Sequence, residues 1–147
     1  MAELKYAGNI LSDLVLPDAS RERLAKYNEW ATRILWLEDF IMEGAPSIIL
    51  SWYWKATEEP TTPAHSHDYD EVLGFIGSDP QNPHELYGEV EMWLDDEQYF
   101  IDKSSLVLCP KGVNHCPLRV VRVDKPILFL AMSMSTKYYK LFNDAKK

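Results

Sequence analysis

Residues 64–75 read Ala64-His65-Ser66-His67-Asp68-Tyr69-Asp70-Glu71-Val72-Leu73-Gly74-Phe75. Side chains on a β-strand alternate between its two faces, and positions 65, 67 and 71 share parity. On an extended chain His65, His67 and Glu71 therefore project to one side, while Asp70 points to the other. Two neutral nitrogen donors and one anionic oxygen on a single face form a ligand set for a divalent transition metal. Such a set leaves coordination positions for solvent or substrate, which distinguishes a chemical site from a structural one.

A third imidazole lies downstream in Pro110-Lys111-Gly112-Val113-Asn114-His115. Proline and glycine two positions apart predict a tight turn, and that turn delivers His115 to the start of the next strand. The candidate ligands are then three nitrogens and one oxygen: His65, His67, Glu71 and His115.

Around these two segments the chain is a succession of short β-branched and aromatic runs. They are WATRILWL, SIILSWYWKA, EVLGFI, GEVEMWL, QYFI, SLVLC, LRVVRV and PILFLAMSM, broken by Pro, Gly and Asp. That rhythm predicts an all-β antiparallel barrel or sandwich. Asp95-Asp96 predicts a hairpin turn, and GSDPQNPHELYG predicts a surface loop carrying His84 as a solvated residue. Ahead of the strands, DASRERLAKY predicts a short helix over 18–27 capped by Asp18, serving as a lid or prop. At the other end TKYYKLFNDAKK predicts a final short helix.

The two histidine segments resemble the motifs of the cupin superfamily. His65-x-His67-x-x-x-Glu71 is similar to its first motif and Pro110-x-Gly112-x-x-His115 to its second, and the resemblance spans about positions 48–134. It implies one cupin domain over 1–147, a double-stranded β-helix or jelly-roll barrel at 48–134 with a helical and edge-strand extension at 1–40. It also implies that His65, His67, Glu71 and His115 bind one metal inside that barrel. Three positions depart from the pattern. Ser104 stands where the second motif usually has Gly, Arg119 where it usually has Asn, and Gly77 falls one residue before the first motif's closing Gly. None is a ligand position. A lone histidine is more often structural than functional, but three of the four histidines here fall on ligand positions.

Length and composition agree with a single domain: 147 residues, 46% hydrophobic and 26% charged. A net charge of −8 opposes binding to nucleic acid or to an anionic membrane surface. No apolar run approaches the ~18 residues of a membrane span, and the first residues carry acidic and polar breaks, so a soluble cytoplasmic protein is expected. Cys109 and Cys116 match neither a redox nor a zinc-finger spacing and read as free thiols.

Beyond the ligands, Arg119 shares parity with His115 and would face the barrel interior, where a guanidinium needs an anion. A substrate carboxylate would supply one; the alternative is an outward turn or a structural partner such as Glu89 or Glu91. Trp52, Trp54 and Phe75 are candidate pocket residues with Arg119, although residues of this kind more often form core. Glu71 and Arg119 are the candidate catalytic side chains, and Tyr53 or Tyr69 could donate a proton.

The ligand set suits iron(II), manganese(II), nickel(II), copper(II) or zinc(II). The resemblance implies an enzyme of dioxygenase, isomerase, dehydratase or lyase type acting on a small oxygen-bearing substrate, and a homodimer joined through edge strands. The alternative is a non-catalytic barrel that binds or senses a small molecule.

Overall fold

The computed structural model describes residues 4–17 and 20–135 of the chain. Among these, a 3-10 turn at Ala7–Asn9 and a helix α1 at Arg21–Tyr27 precede eight strands. The strands are β1 Ala31–Leu37, β2 Ser47–Tyr53, β3 Glu71–Gly77, β4 Glu85–Leu94, β5 Glu97–Lys103, β6 Ser105–Cys109, β7 His115–Val123 and β8 Ile127–Ser133. Each of the eight apolar runs becomes one strand. β4 starts three residues before its run, so Glu85 to Tyr87 belong to the sheet rather than to the preceding loop. The expected cap Asp18 and the expected C-terminal helix at 136–147 lie outside the described residues.

The strands form two antiparallel sheets, ordered β1-β2-β8-β3-β6 and β5-β4-β7. β4 and β5 are joined through Asp95-Asp96, with Asp95 at φ 51°, a left-handed turn that Asp tolerates. The β3–β4 connection depends on Gly77. A Cβ there would lie 2.1 Å from the Glu85 carbonyl oxygen, so only glycine lets the backbones approach this closely. Ser104 secures the same corner, accepting from the Gly77 N–H at 2.9 Å and donating to the Pro83 carbonyl at 2.7 Å.

The register of the five-stranded sheet sorts its residues into rows. Facing inward are Ser47, Ser133, Glu71 and Cys109; then Trp36, Ile49, Ala131, Leu73 and Val107; then Arg33, Ser51, Phe129, Phe75 and Ser105. The opposing sheet contributes Leu86, Val90, Met92, Leu118 and Val120, and the core forms between them. α1 props the far end of this core. Its Tyr27 ring packs on Trp30, Trp30 on Tyr53, Tyr53 on Phe129 and Phe129 on Phe75, with centroids 4.7–5.6 Å apart.

Candidate metal centre

The segment carrying His65 and His67 is an isolated bridge and a bend that precede β3, rather than part of one continuous strand. Its anchor is the second histidine segment. The His65 N–H donates to the His115 carbonyl at 3.1 Å, and the His115 N–H donates to the His65 carbonyl at 2.8 Å. The intervening turn has the shape its residues predict: the Val113 N–H closes onto the Pro110 carbonyl at 3.1 Å, with Gly112 at φ 80°. Gly112 then donates to the His67 carbonyl at 2.9 Å, and the Lys111 N–H donates to Asp70 Oδ1 at 2.8 Å. Asp70 points away from the ligands, as its parity predicts, and its exposed carboxylate fastens the turn.

This bracing brings His65, His67, Glu71 and His115 together. One donor atom from each lies within 4.8 Å of all the others, and the four residues are 1–3% exposed. Glu71 Oε1 is 3.2 Å from His115 Nε2, and Glu71 Oε2 is 3.4 Å from His67 Nε2. Two ligands at right angles on bonds of ~2.1 Å are about 3 Å apart, so these separations suit a first-row divalent ion. His65 Nδ1 lies 2.8 Å from the Pro63 carbonyl, which can only accept; Nδ1 therefore carries a proton, and in the neutral ring the lone pair is left on Nε2. An oriented, neutral imidazole of this kind is what a metal requires of histidine. The group fits a divalent transition ion held by three nitrogens and one oxygen.

Burial alone would raise the Glu71 carboxyl. Hydrogen bonds from His115 and His67, together with their charge, outweigh it and hold the group at about 2. Cys109, paired with Glu71 on the neighbouring strand, moves the other way: burial and then the Glu71 charge push its thiol to about 12. Neither Cys109 nor Cys116 forms a disulfide.

Five side chains expected at the site, Arg119, Trp52, Trp54, Phe75 and Tyr53, lie away from the four ligands. Arg119 does not face the interior: Nη2 donates to Glu91 Oε2 at 2.7 Å on the outer side of the three-stranded sheet. A register shift between Met92 and Leu94 places one extra residue in β7, so parity counted from His115 fails beyond it. Trp52 lies on the outer face, paired with Thr32 and Leu128, and Trp54 is 44% exposed with its Nε1 donating to Thr32. Phe75 does face inward but is core, completely buried two inner rows from Glu71. Tyr53 likewise belongs to the aromatic file at the far end. His84 is exposed, as its loop predicts.

Of the tyrosines considered, Tyr69 is at the site, stacked on the His67 ring at 4.7 Å and 13°. The sequence reading did not single out Ser133, which strand pairing sets beside Glu71. Its one available signal was parity along PILFLAMSM, which has no meaning until its partner strand is known.

No family model matches the chain, and no curated protein matches it in sequence. Solved structures match it in fold. A cupin 2 domain-containing protein from Halorhodospira halophila superposes with a TM-score of 0.54 at 18% identity, covering 81% of this chain and 74% of that one. A double-stranded β-helix protein from Klebsiella pneumoniae gives 0.49 at 12%, covering 78% and 86%. KdgF from Halomonas gives 0.44 at 10%, covering 74% and 78%. The first of these, together with the two antiparallel sheets, carries the fold. The chain has the double-stranded β-helix fold.

Proposed function

We propose that the protein is a metal-dependent enzyme acting on a small oxygen-bearing organic molecule. The observation that carries this reading is the buried convergence of His65, His67, Glu71 and His115. The four residues would hold one divalent ion among iron, manganese, nickel, copper and zinc. When bound, such an ion supplies Lewis-acid polarisation of a substrate oxygen or, for iron, oxygen activation.

The chain's own residues do the rest. Pro63 orients His65, Tyr69 stacks on His67, and the surrounding apolar row of Ile49, Ala131 and Leu73 keeps water away. With Arg119 committed to Glu91, it provides no anchor for a substrate carboxylate. Arg33, in the inner row two removed from Glu71, is bonded to Ser51. This arrangement favours substrates whose oxygens are neutral or singly charged, such as diketones or sugar derivatives, over multiply charged acids. A barrel that binds a small molecule without turnover is the second reading, favoured by the closure of the site.

Elemental analysis of protein purified without chelator, beside His65→Ala and His115→Ala, tests the proposal. Near-stoichiometric metal that disappears in both variants supports it, and the metal found selects oxygen-uptake or isomerisation assays. A wild type that holds no metal even after reconstitution overturns it.

We further propose that the protein forms a homodimer, through a sheet face rather than an edge. The outward rows of the five-stranded sheet are Leu37, Ile48, Met132, Val72 and Leu108; Leu35, Leu50, Leu130, Gly74 and Leu106; and Thr32, Trp52, Leu128 and Ile76. None is charged, in a chain whose net charge is −8. Five strands by six residues give a footprint on the order of 500 Å² per subunit, within reach of a specific interface. The acidic groups Glu85, Glu89 and Glu91 lie on the other sheet, so pairing this face keeps them apart.

A further inference from the structure

Glu71 is flanked on its two neighbouring strands by a hydroxyl and a thiol. Ser133 of β8 and Cys109 of β6 are its register partners, and all three face inward. Ser133 is 4% exposed, and its Oγ has no hydrogen-bond partner among the described residues. A buried hydroxyl without a partner is unfavourable, so its place in a packed interior calls for a reason. The same row continues to Ser47, 2% exposed and paired with Ser133. The metal end of the sheet is thus lined with hydroxyls where the next row is wholly apolar.

The chemistry of the ligands supplies the reason. Both Glu71 oxygens face imidazole nitrogens, His115 Nε2 at 3.2 Å and His67 Nε2 at 3.4 Å. A nitrogen that gives its lone pair to a metal has no N–H left for a carboxylate. Once His67 and His115 are ligands, Glu71 keeps one oxygen for the ion, and its other oxygen needs a new donor in a site that is 3% exposed. Of the two flanking groups, the hydroxyl is the stronger donor, since a thiol donates weakly. Resting on the metal-site reading, we propose that Ser133 is a positioning residue for Glu71, donating to the carboxylate oxygen that the metal does not take.

The test is cobalt(II) affinity, measured by chelator competition on the full chain, with the visible spectrum of the bound ion recorded alongside. Ser133→Ala is expected to lose 10- to 100-fold in affinity and to shift the cobalt spectrum. Its thermal midpoint in excess chelator should be unchanged or raised, which a merely structural role would not give. Ser133→Thr should stay within about threefold of wild type, and Ser133→Cys, a weaker donor of similar size, should fall between. Ser51→Ala, two inner rows away, serves as the control and should leave cobalt affinity unchanged. A Ser133→Ala protein that binds cobalt within twofold of wild type with an unaltered spectrum overturns the role of Ser133 while leaving the metal site standing. Failure of the wild type to bind cobalt overturns the metal site itself, and this role with it.

Discussion

His115 and Leu118 both point into the barrel although they lie three positions apart. Odd spacing on a regular strand puts two residues on opposite faces; the bulge opposite Met92 to Leu94 cancels that rule and turns Arg119 outward to Glu91. Arg119→Ala should therefore leave metal content unchanged. Because the pair is partly exposed, the loss of stability should be at most about 1 kcal/mol, measured by urea denaturation. A variant that loses its metal would place Arg119 in the site after all.

Glu71 gives the metal-free protein a characteristic response to acid. Its folded pKa, about 2, lies below the ordinary carboxylate value. The resulting stabilisation is complete above the unfolded pKa of about 4.3 and is lost as pH falls from there toward 2. Denaturation midpoints of chelator-treated wild type should decline across that window, while Glu71→Gln should show a shallower decline. Parallel curves for the two proteins would contradict the assignment.

Two glycines separate close approach from open space. Gly77→Ala forces a Cβ to within 2.1 Å of a backbone oxygen and should cost about 3 kcal/mol or more, since overpacking against backbone cannot relax through a rotamer. At Gly8 nothing lies within 4 Å of an added Cβ, and alanine there should change stability by less than about 0.5 kcal/mol. Equal effects at the two positions in chemical denaturation would show that the β3–β4 corner is looser than it stands here.

Leu106 and Leu108 are 68% and 58% exposed on the uncharged sheet face. Replacing both with Arg should convert a dimer to a monomer by light scattering, with metal content unaffected. A wild type that is monomeric at all concentrations tested would remove the dimer proposal.

The sequence was most legible where local chemistry acts alone. The Pro110 to Val113 turn, the Asp95-Asp96 hairpin and the apolar runs each form from neighbouring residues. The ligands were legible because their spacing is short within each segment. What misled was alternation. In β2 the small polar Ser47 and Ser51 face inward while Trp52 faces out, the reverse of ordinary amphipathic order, because both faces of that sheet are apolar. With no polar side to mark the exterior, Trp52 and Trp54 looked equally suited to a pocket. Arg119 was misplaced for a different reason: an inserted strand residue leaves no mark in composition, and only the partner strand reveals it. Ser133 stayed hidden because its significance lies in a pairing with a residue 62 positions earlier.

The reciprocal backbone bonds between His65 and His115 tie the two ligand segments to each other through main chain alone. Gathering the four donors is thus accomplished by folding, and an arriving ion meets a finished socket rather than a loose set of arms. Ion capture should then be quick and undemanding of chain reorganisation, and it should not depend on the length of the loop at 78–84, which lies between the segments in sequence but outside the span that braces them. Lengthening or shortening that loop offers evolution a way to reshape the protein's surface without retuning its metal.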